Sequence, residues 1–171
     1  MIYIVRHQEG ESFSNCLSLR GMHRVHRMAK VLRSSFDNIP LKCIHTFRPT
    51  EYKHLRPVQT ATILCTCLNE RFSVFAHVSY DGVLRDLSRI ADINRYDIVI
   101  VWHHGEIMDM ANVLCDYYDV SKSLLGFPWP ENNYDGCVLI DTESKDACFV
   151  STFFQKKRKK LFFLSCLKLF Q

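Results

Sequence analysis

The stretch YDIVIVWHHGEIMDMANVLCDYY, residues 96–118, decides the fold of this chain. Residues 96–102 form an apolar run rich in β-branched side chains, which predicts a buried β-strand. Residues 106–118 then repeat apolar side chains at helical spacing, which predicts a helix with one buried face. Strand and helix follow one another with little more than His103 and His104 between them. The predicted buried stripe of the helix consists of Ile107, Met110, Ala111, Leu114 and Tyr118.

The rest of the chain repeats this alternation of strands and helices. The first helix combines a nearly all-basic face with a buried stripe of Met22, Val25, Met28, Ala29 and Leu32. Such alternation predicts an α/β domain of three layers, with a mostly parallel central sheet and helices on both faces. The pattern predicts strands over residues 2–5, 42–47, 72–80, 137–141 and 147–154, and helices over residues 18–36 and 56–68.

The composition is that of one folded domain. The chain has 171 residues, of which 47% are hydrophobic and 23% charged, enough for a single buried core. We expect the domain to span residues 1–154 and a basic and hydrophobic tail to follow at 155–171. The tail carries the run KKRKK at 156–160. Three interpretations of it stay open: a solvated stretch before a packed final helix, an interfacial membrane segment, or a nuclear-localisation-like cluster.

Several features favour a cytoplasmic protein that does not insert into a membrane. The eight cysteines are scattered without a CxxC pair, and no signal peptide precedes the first strand. The apolar stretch at 161–170 is shorter than a spanning helix requires. The basic run at 156–160 leaves a nuclear location open. A net charge of +4 indicates anionic partners without naming them, and no nucleic acid is expected. The oligomeric state is not predicted.

Neither of two short cysteine and histidine pairs predicts a metal site. Cys65 and Cys67 lie two residues apart in a predicted helix and therefore do not face each other. His23 and His26 lie about one turn apart, but no third ligand accompanies them. We therefore expect no metal and no cofactor.

Predicted strands end on residues that suit phosphate chemistry. The first strand runs into Arg6 and His7, and the strand quoted above runs into His104 and its neighbour. Arg56 begins a helix that leaves another strand. Because the carboxyl ends of parallel strands share one edge of a sheet, these side chains are expected to meet over one pocket. A guanidinium group can bind two phosphate oxygens at once, and a neutral imidazole can attack phosphorus.

Four motifs occur along the chain in the order IYIVRH, LSLRG, LRPVQTATIL and VIVWHHGEIMDMANVL. In order and spacing they resemble the histidine phosphatase superfamily, the phosphoglycerate-mutase-like proteins, over nearly all of the predicted domain. The resemblance implies that His7 is the nucleophile and becomes a phosphohistidine. It implies that Arg6 and Arg56 bind the phosphate and that His104 stabilises the transferring phosphoryl group. His103 matches no role of the family and is expected to be structural or to lie at the rim.

The resemblance also implies a carboxylic acid that protonates the leaving oxygen, in the segment after the third strand. The sequence VLRDLS places Asp86 at that position, and Asp81 in SYDGVL is the second choice. The alternative, that both are solvated loop carboxylates, stays open.

The loop after His7 departs from the family pattern. Gln8 and Glu9 stand between His7 and the run GESFSN at 10–15, as a two-residue insertion would. With this insertion Asn15 remains a predicted phosphate ligand. Glu9, by contrast, would repel a phosphate and weaken catalysis.

The expected activity is that of a metal-independent phosphatase, which hydrolyses phosphomonoesters through a phosphohistidine intermediate. Its substrate would be a phosphorylated small molecule or a phosphoprotein. Two alternatives stay open. One is phosphoryl transfer of the phosphoglycerate mutase type, and the other is a catalytically inactive member of the fold that binds phosphate or a phosphoprotein.

Overall fold

The computed structural model describes residues 1–11, 15–36, 39–49, 54–68, 73–125 and 128–154. The strands are β1 (Ile2–Arg6), β2 (Leu41–Phe47), β3 (Ser73–His77), β4 (Asp97–Trp102), β5 (Ser121–Leu124), β6 (Cys137–Asp141) and β7 (Asp146–Val150). The α-helices are α1 (Leu19–Ser35), α2 (Arg56–Leu68), α3 (Tyr80–Leu87) and α4 (His104–Tyr118). Within these segments, no helix has the length and apolar character needed to cross a membrane. The predicted tail at 155–171 lies outside the described residues.

The seven strands form one sheet in the order β3-β2-β4-β1-β6-β7-β5. The first four strands of this order run parallel to one another. β6 runs antiparallel to β1, and β7 runs antiparallel to β6. The prediction of an α/β domain with a mostly parallel sheet is therefore confirmed. The register pairs Arg6 with Trp102, so β1 and β4 end side by side at the carboxyl edge of the parallel strands.

Helices cover both faces of the sheet because its central strands present apolar side chains to both sides. In β4, Ile98 and Ile100 belong to the core under α3 and α4, whereas Val99 and Val101 belong to the core under α1 and α2. All four side chains are fully buried. Burial of one such side chain contributes roughly 1.5–3 kcal/mol to folding. The three-layer arrangement thus follows from the continuous apolar run of β4.

The segment after β3 differs from the prediction. A strand is predicted over 72–80, but β3 ends at His77 and α3 begins at Tyr80. Val83 and Leu87 lie one helical turn apart and are both buried against the core, which favours a helix here. The sequence pattern missed this short helix because the predicted strand continued from the apolar run of β3 to residue 80.

Two further elements also differ. The last predicted strand, 147–154, is shorter than expected, because β7 ends at Val150. β5 is not predicted at all, since its sequence SKSL has no alternation of apolar and polar side chains.

The predicted buried face of the basic helix α1 is confirmed at Val25, Met28, Ala29 and Leu32 and differs at one position. Met22, predicted to be buried, is 40% exposed, and Gly21 takes the buried position beside it. A Cβ atom on Gly21 would lie 2.2 Å from the carbonyl oxygen of Glu9. A glycine is therefore required for α1 to contact the loop that follows β1, which explains the motif LSLRG.

Candidate active site

His7 follows β1 at the carboxyl edge of the sheet and is 3% exposed. Its backbone N–H donates to the carbonyl oxygen of Trp102 over 3.1 Å, which extends the pairing of β1 with β4. Nδ1 of its ring lies 3.0 Å from the carbonyl oxygen of Gln8. Because a carbonyl oxygen only accepts hydrogen bonds, Nδ1 carries the ring proton and Nε2 keeps its lone pair.

The charge state of His7 suits nucleophilic attack. Burial lowers the pKa of His7 to about 3, although the hydrogen bond to Gln8 acts in the opposite direction. The positive charges of Arg56 and Arg6 and the neighbouring imidazole of His103 lower the pKa further. The imidazole is therefore neutral at physiological pH. A neutral imidazole with an unprotonated Nε2 is the form that attacks phosphorus.

Three cationic or imidazole groups beside His7 have buried nitrogens without a hydrogen-bond partner among the described residues: Nε of Arg6, Nε of Arg56 and Nδ1 of His104. Arg6 and Arg56 lower the pKa of both His7 and His104, so the four groups share one electrostatic environment. A buried polar atom without a partner costs roughly 1–3 kcal/mol. The arrangement therefore suits an anion with several oxygens, such as a phosphoryl group.

The amino end of α4 completes the site. His103 is the N-cap residue of this helix and His104 is its first residue. The ring centroid of His103 lies 5.4 Å from that of His7, with the rings nearly perpendicular. Burial is the largest of the effects that lower the pKa of His103 to about 4, so this ring is also neutral. Because the free N–H groups at a helix amino end attract anions, α4 adds to the positive potential beside His7.

Solved structures share this fold, whereas the sequence matches no protein-family model and no curated protein. The protein histidine phosphatase SixA, in complex with tungstate, has a TM-score of 0.57 and 16% identity, over 87% of this chain and 93% of its own. The SixA protein of Agrobacterium tumefaciens has a TM-score of 0.55 and 13% identity, over 87% and 94%. Phosphoglycerate mutase of Plasmodium falciparum has a TM-score of 0.50 and 14% identity, over 88% and 90%. The chain has the histidine phosphatase fold. The resemblance of its four motifs is thereby confirmed at the level of the fold.

The histidine phosphatase fold brings Arg6, His7, Arg56 and His104 to one edge of the sheet. Their catalytic and phosphate-binding roles stay predictions. Asn15 is exposed and lies at a bend in the loop that joins β1 to α1. Its role as a phosphate ligand also stays a prediction.

Asp86 and Asp81, the two predicted general acids, both lie on α3, and the role of either as an acid stays a prediction. Asp86 lies near the end of α3, roughly 9 Å along the helix axis from Tyr80 at a rise of about 1.5 Å per residue. Its carboxylate oxygens lie 3.7 Å from Nε2 of His77 and 3.6 Å from the Arg89 guanidinium. Asp81, the second choice, is exposed in the first turn of the same helix.

The two residues of the predicted insertion have structural partners. The backbone N–H of Gln8 donates to Oγ1 of Thr60, and its buried side-chain amide donates to the carbonyl oxygen of Tyr134, both over 3.1 Å. The carboxylate of Glu9 lies 3.0 Å from Nε of Arg24, on the basic face of α1. This cation reduces the repulsion that was expected between Glu9 and a phosphate.

The first two turns of α2 position the loop that follows His7. A Cβ atom on Gly10 would lie 2.6 Å from Cδ of Arg56, so this glycine lets the arginine stem pass close to the loop. Oε1 of Gln59 accepts a hydrogen bond from the backbone N–H of Leu17 over 2.8 Å. Within the motif LRPVQTATIL, Arg56 therefore supplies one cation to the site, and Gln59 holds the loop in position.

Sequence reasoning missed two residues in the loop before β6. The guanidinium of Arg6 donates to the carbonyl oxygen of Glu131 and, over 3.3 Å, to the hydroxyl of Tyr134. Its Cζ lies 4.1 Å from the centre of the Tyr134 ring, a cation–π contact. No motif marks this loop. It reaches Arg6 because β6 pairs antiparallel with β1, with Cys137 opposite Val5.

Proposed function

We propose that this protein is a phosphatase in which His7 carries the phosphoryl group between two half-reactions. In the first, Nε2 attacks phosphorus, the bond from phosphorus to the leaving group breaks, and the leaving group takes the electron pair. In the second, water attacks the phosphorus of the phosphohistidine, the N–P bond breaks, and its electron pair returns to Nε2. Inorganic phosphate then leaves, and His7 is restored.

One observation carries this proposal. A buried and neutral His7, with Nε2 unprotonated, stands among the unpartnered nitrogens of Arg6, Arg56 and His104. The two arginines would hold phosphoryl oxygens in the ground state, and His104 would donate to the charge that develops in the transition state. A single donor of this kind is typically worth about 10²–10³ in kcat.

We favour protein phosphohistidine as the substrate, within the broader class of phosphorylated small molecules and phosphoproteins. The leaving group of phosphohistidine is an imidazole, which takes up a proton near neutral pH and so departs without a strong acid from the protein. Among the described residues, the carboxylates that raise the pKa of Arg6 are those of Glu131 and Glu9, and Glu9 forms an ion pair with Arg24. The name of the compared SixA, protein histidine phosphatase, supports the same choice.

A phosphomonoester with an alkoxide leaving group makes a different demand on the site. An alkoxide needs a proton as it leaves, which a carboxylic acid supplies. Glu131 is exposed, and its charge acts on both Arg6 and His104. We therefore assign the acid for such substrates to Glu131 and not to Asp86.

A turnover assay in EDTA tests the proposal. The full chain is incubated with a phosphohistidine peptide, with p-nitrophenyl phosphate and with 3-phosphoglycerate, and released phosphate is measured. We expect release from the first two, and a loss of at least about 10³-fold in His7→Ala, because the nucleophile is removed. His23→Ala is the matched control, since this histidine is exposed on α1, and it should retain full turnover.

Other outcomes have distinct meanings. Turnover that survives His7→Ala, or that stops when EDTA is added, would contradict the proposal. Exchange of phosphate between 3-phosphoglycerate and a bisphosphoglycerate primer would assign mutase activity instead. Binding of tungstate or phosphate without any turnover would assign the inactive, phosphate-binding alternative.

A further inference from the structure

A second group of histidines lies away from His7, where β2, β3 and α3 meet. Nδ1 of His45 lies 2.9 Å from Nε2 of His77, and that Nε2 lies 3.7 Å from Oδ2 of Asp86. The three atoms all lie within 4.8 Å of one another. We call these three residues the His45 cluster. None of them has a part in the proposed reaction.

We propose that the His45 cluster binds a divalent transition metal of the zinc class, with Nδ1 of His45, Nε2 of His77 and one carboxylate oxygen of Asp86 as ligands. Tetrahedral zinc has bonds of about 2.0–2.2 Å to such atoms, which places neighbouring ligand atoms about 3.3 Å apart. The distances of 2.9 and 3.7 Å lie on either side of this value. Small rotations of the side chains would therefore complete the site.

The donor set selects the kind of metal. Two imidazoles and one carboxylate suit zinc and neighbouring transition metals, whereas magnesium and calcium prefer oxygen ligands alone. His45 is 1% exposed, and burial is the main cause that lowers its pKa to about 4, so its ring is neutral, as a metal ligand must be. The carboxylate of Asp86 supplies a negative charge that favours a divalent cation.

Neighbouring groups hold the two rings in position. Nε2 of His45 lies 3.2 Å from Sγ of Cys43, so with a metal on Nδ1 the ring proton on Nε2 has a sulfur acceptor. The His45 ring stacks on His77 and on Phe75, with centroids 5.1 and 5.5 Å apart. A Cβ atom on Gly82 would lie 2.8 Å from Nδ1 of His77, so only a glycine lets α3 pack this closely.

A metal ion at this position would keep one coordination position open to solvent. It would also link an edge strand of the sheet to the core. A cavity of about 420 Å³ is lined by His45 and Asp86, with Lys42 and Arg89 also on its wall. Three protein ligands beside a cavity leave a fourth position for water or an anion. The ligands come from three separate elements, and β3 is the outermost strand of the sheet on that side. Bound metal should therefore stabilise β3 and α3 against local unfolding.

Metal titration of the full chain tests this inference. The protein is stripped with EDTA, desalted and titrated with Zn²⁺, with Co²⁺ as a spectroscopic probe and Mg²⁺ as a hard-metal control. We expect one equivalent of Zn²⁺ to bind and tetrahedral Co²⁺ absorption to appear. At a free Zn²⁺ concentration of about a hundred times Kd, Tm should rise by roughly 5–10 °C. Mg²⁺ should have no such effect.

Substitutions assign the binding to the cluster. Asp86→Asn, which keeps the side-chain shape at a half-exposed position, and His77→Gln should each weaken Zn²⁺ binding by at least about 10-fold. His26→Gln is the matched control, because Nδ1 of His26 lies 3.0 Å from Sγ of Cys67 in an exposed pair on α1 and α2. The inference is overturned if Zn²⁺ does not bind, or if binding is lost in His26→Gln and kept in Asp86→Asn. Since the measurement is metal binding, its outcome is independent of the phosphatase proposal.

Discussion

The His7 region and the His45 cluster use the same side chain in opposite surroundings. Around His7 the neighbours are Arg6, Arg56 and further histidines, so the region carries positive potential and suits an anion. The rings of the His45 cluster instead face the carboxylate of Asp86, so the cluster suits a cation. Burial keeps His7 and His45 neutral in both places. Neighbouring charge, and not the histidine itself, therefore determines what each group binds.

The comparison also shows how each region is assembled. The His7 region forms at the ends of β1 and β4 and the start of α2, at the carboxyl edge where parallel strands bring their loops together. The His45 cluster forms from side chains along β2, at the end of β3 and near the end of α3. Because β2 pairs in parallel with β3, residues that are about thirty positions apart in the sequence lie opposite each other, as Phe47 and His77 do.

Among substitutions that leave the nucleophile in place, Arg56→Ala should produce the largest loss of activity. We expect kcat/KM for a phosphohistidine peptide to fall by about 10²–10³, because one phosphate-binding cation is removed. Arg56→Lys should recover only part of the loss, since an ammonium group cannot make two parallel hydrogen bonds to phosphate. Zn²⁺ binding to the His45 cluster should not change in either variant. A loss of both properties would show that the two regions are not separate.

Acid should weaken folding through both regions. The pKa of His7 is lowered from 6.5 to about 3 and that of His45 to about 4, so below pH 6.5 the unfolded chain takes up protons that the folded chain does not. This part of the stability is complete above pH 6.5 and is lost as pH falls toward 4 for His45 and toward 3 for His7. Between pH 7 and pH 5, each of the two groups should lower the free energy of unfolding by roughly 2 kcal/mol.

Urea unfolding at pH 7 and at pH 5 measures this effect. The difference in free energy of unfolding between the two pH values should become smaller in His7→Gln and in His45→Gln. His23→Gln, at an exposed position, should keep the full difference. An equal pH dependence in all three variants would contradict the assignment of neutral, buried rings.

The sequence predicted that Arg6, His7, Arg56 and His104 meet at one edge of the sheet, because each of them is tied to a local pattern. Arg6, His7 and His104 stand directly at the ends of apolar strands, and Arg56 stands at the start of an amphipathic helix. The same local patterns predicted the α/β fold and its parallel sheet. Residues next to a regular element are placed by that element, so their position follows once the strand or helix is recognised.

Other parts of the molecule depend on contacts that no local pattern records. The sequence pattern took the segment after β3 as a loop, whereas the short helix α3 places the Asp86 carboxylate beside His77 and Arg89. The His45 cluster is invisible for a similar reason, since its ligands come from three elements. Glu131 and Tyr134 reach Arg6 only through the antiparallel pairing of β6 with β1.

Glu131→Gln should have the smallest effect and the most selective one. We expect turnover of an alkyl phosphomonoester to fall by about 10-fold or more, whereas turnover of a phosphohistidine peptide should fall less than about threefold. The reason is that an alkoxide needs a proton to leave and an imidazole obtains one from water. Parallel kcat measurements on the two substrates check this, and equal losses on both would contradict the role of Glu131 as an acid.

The central claim, that His7 carries the phosphoryl group, is tested most directly by trapping the phosphorylated protein. The full chain is mixed with a labelled phosphohistidine peptide, quenched in base, in which a phosphohistidine survives, and digested for mass spectrometry. The account predicts a phosphoryl group on the peptide that contains His7, absent in His7→Ala and present in His23→Ala. Turnover with the phosphoryl group on another residue, or with none trapped at any time, would contradict it.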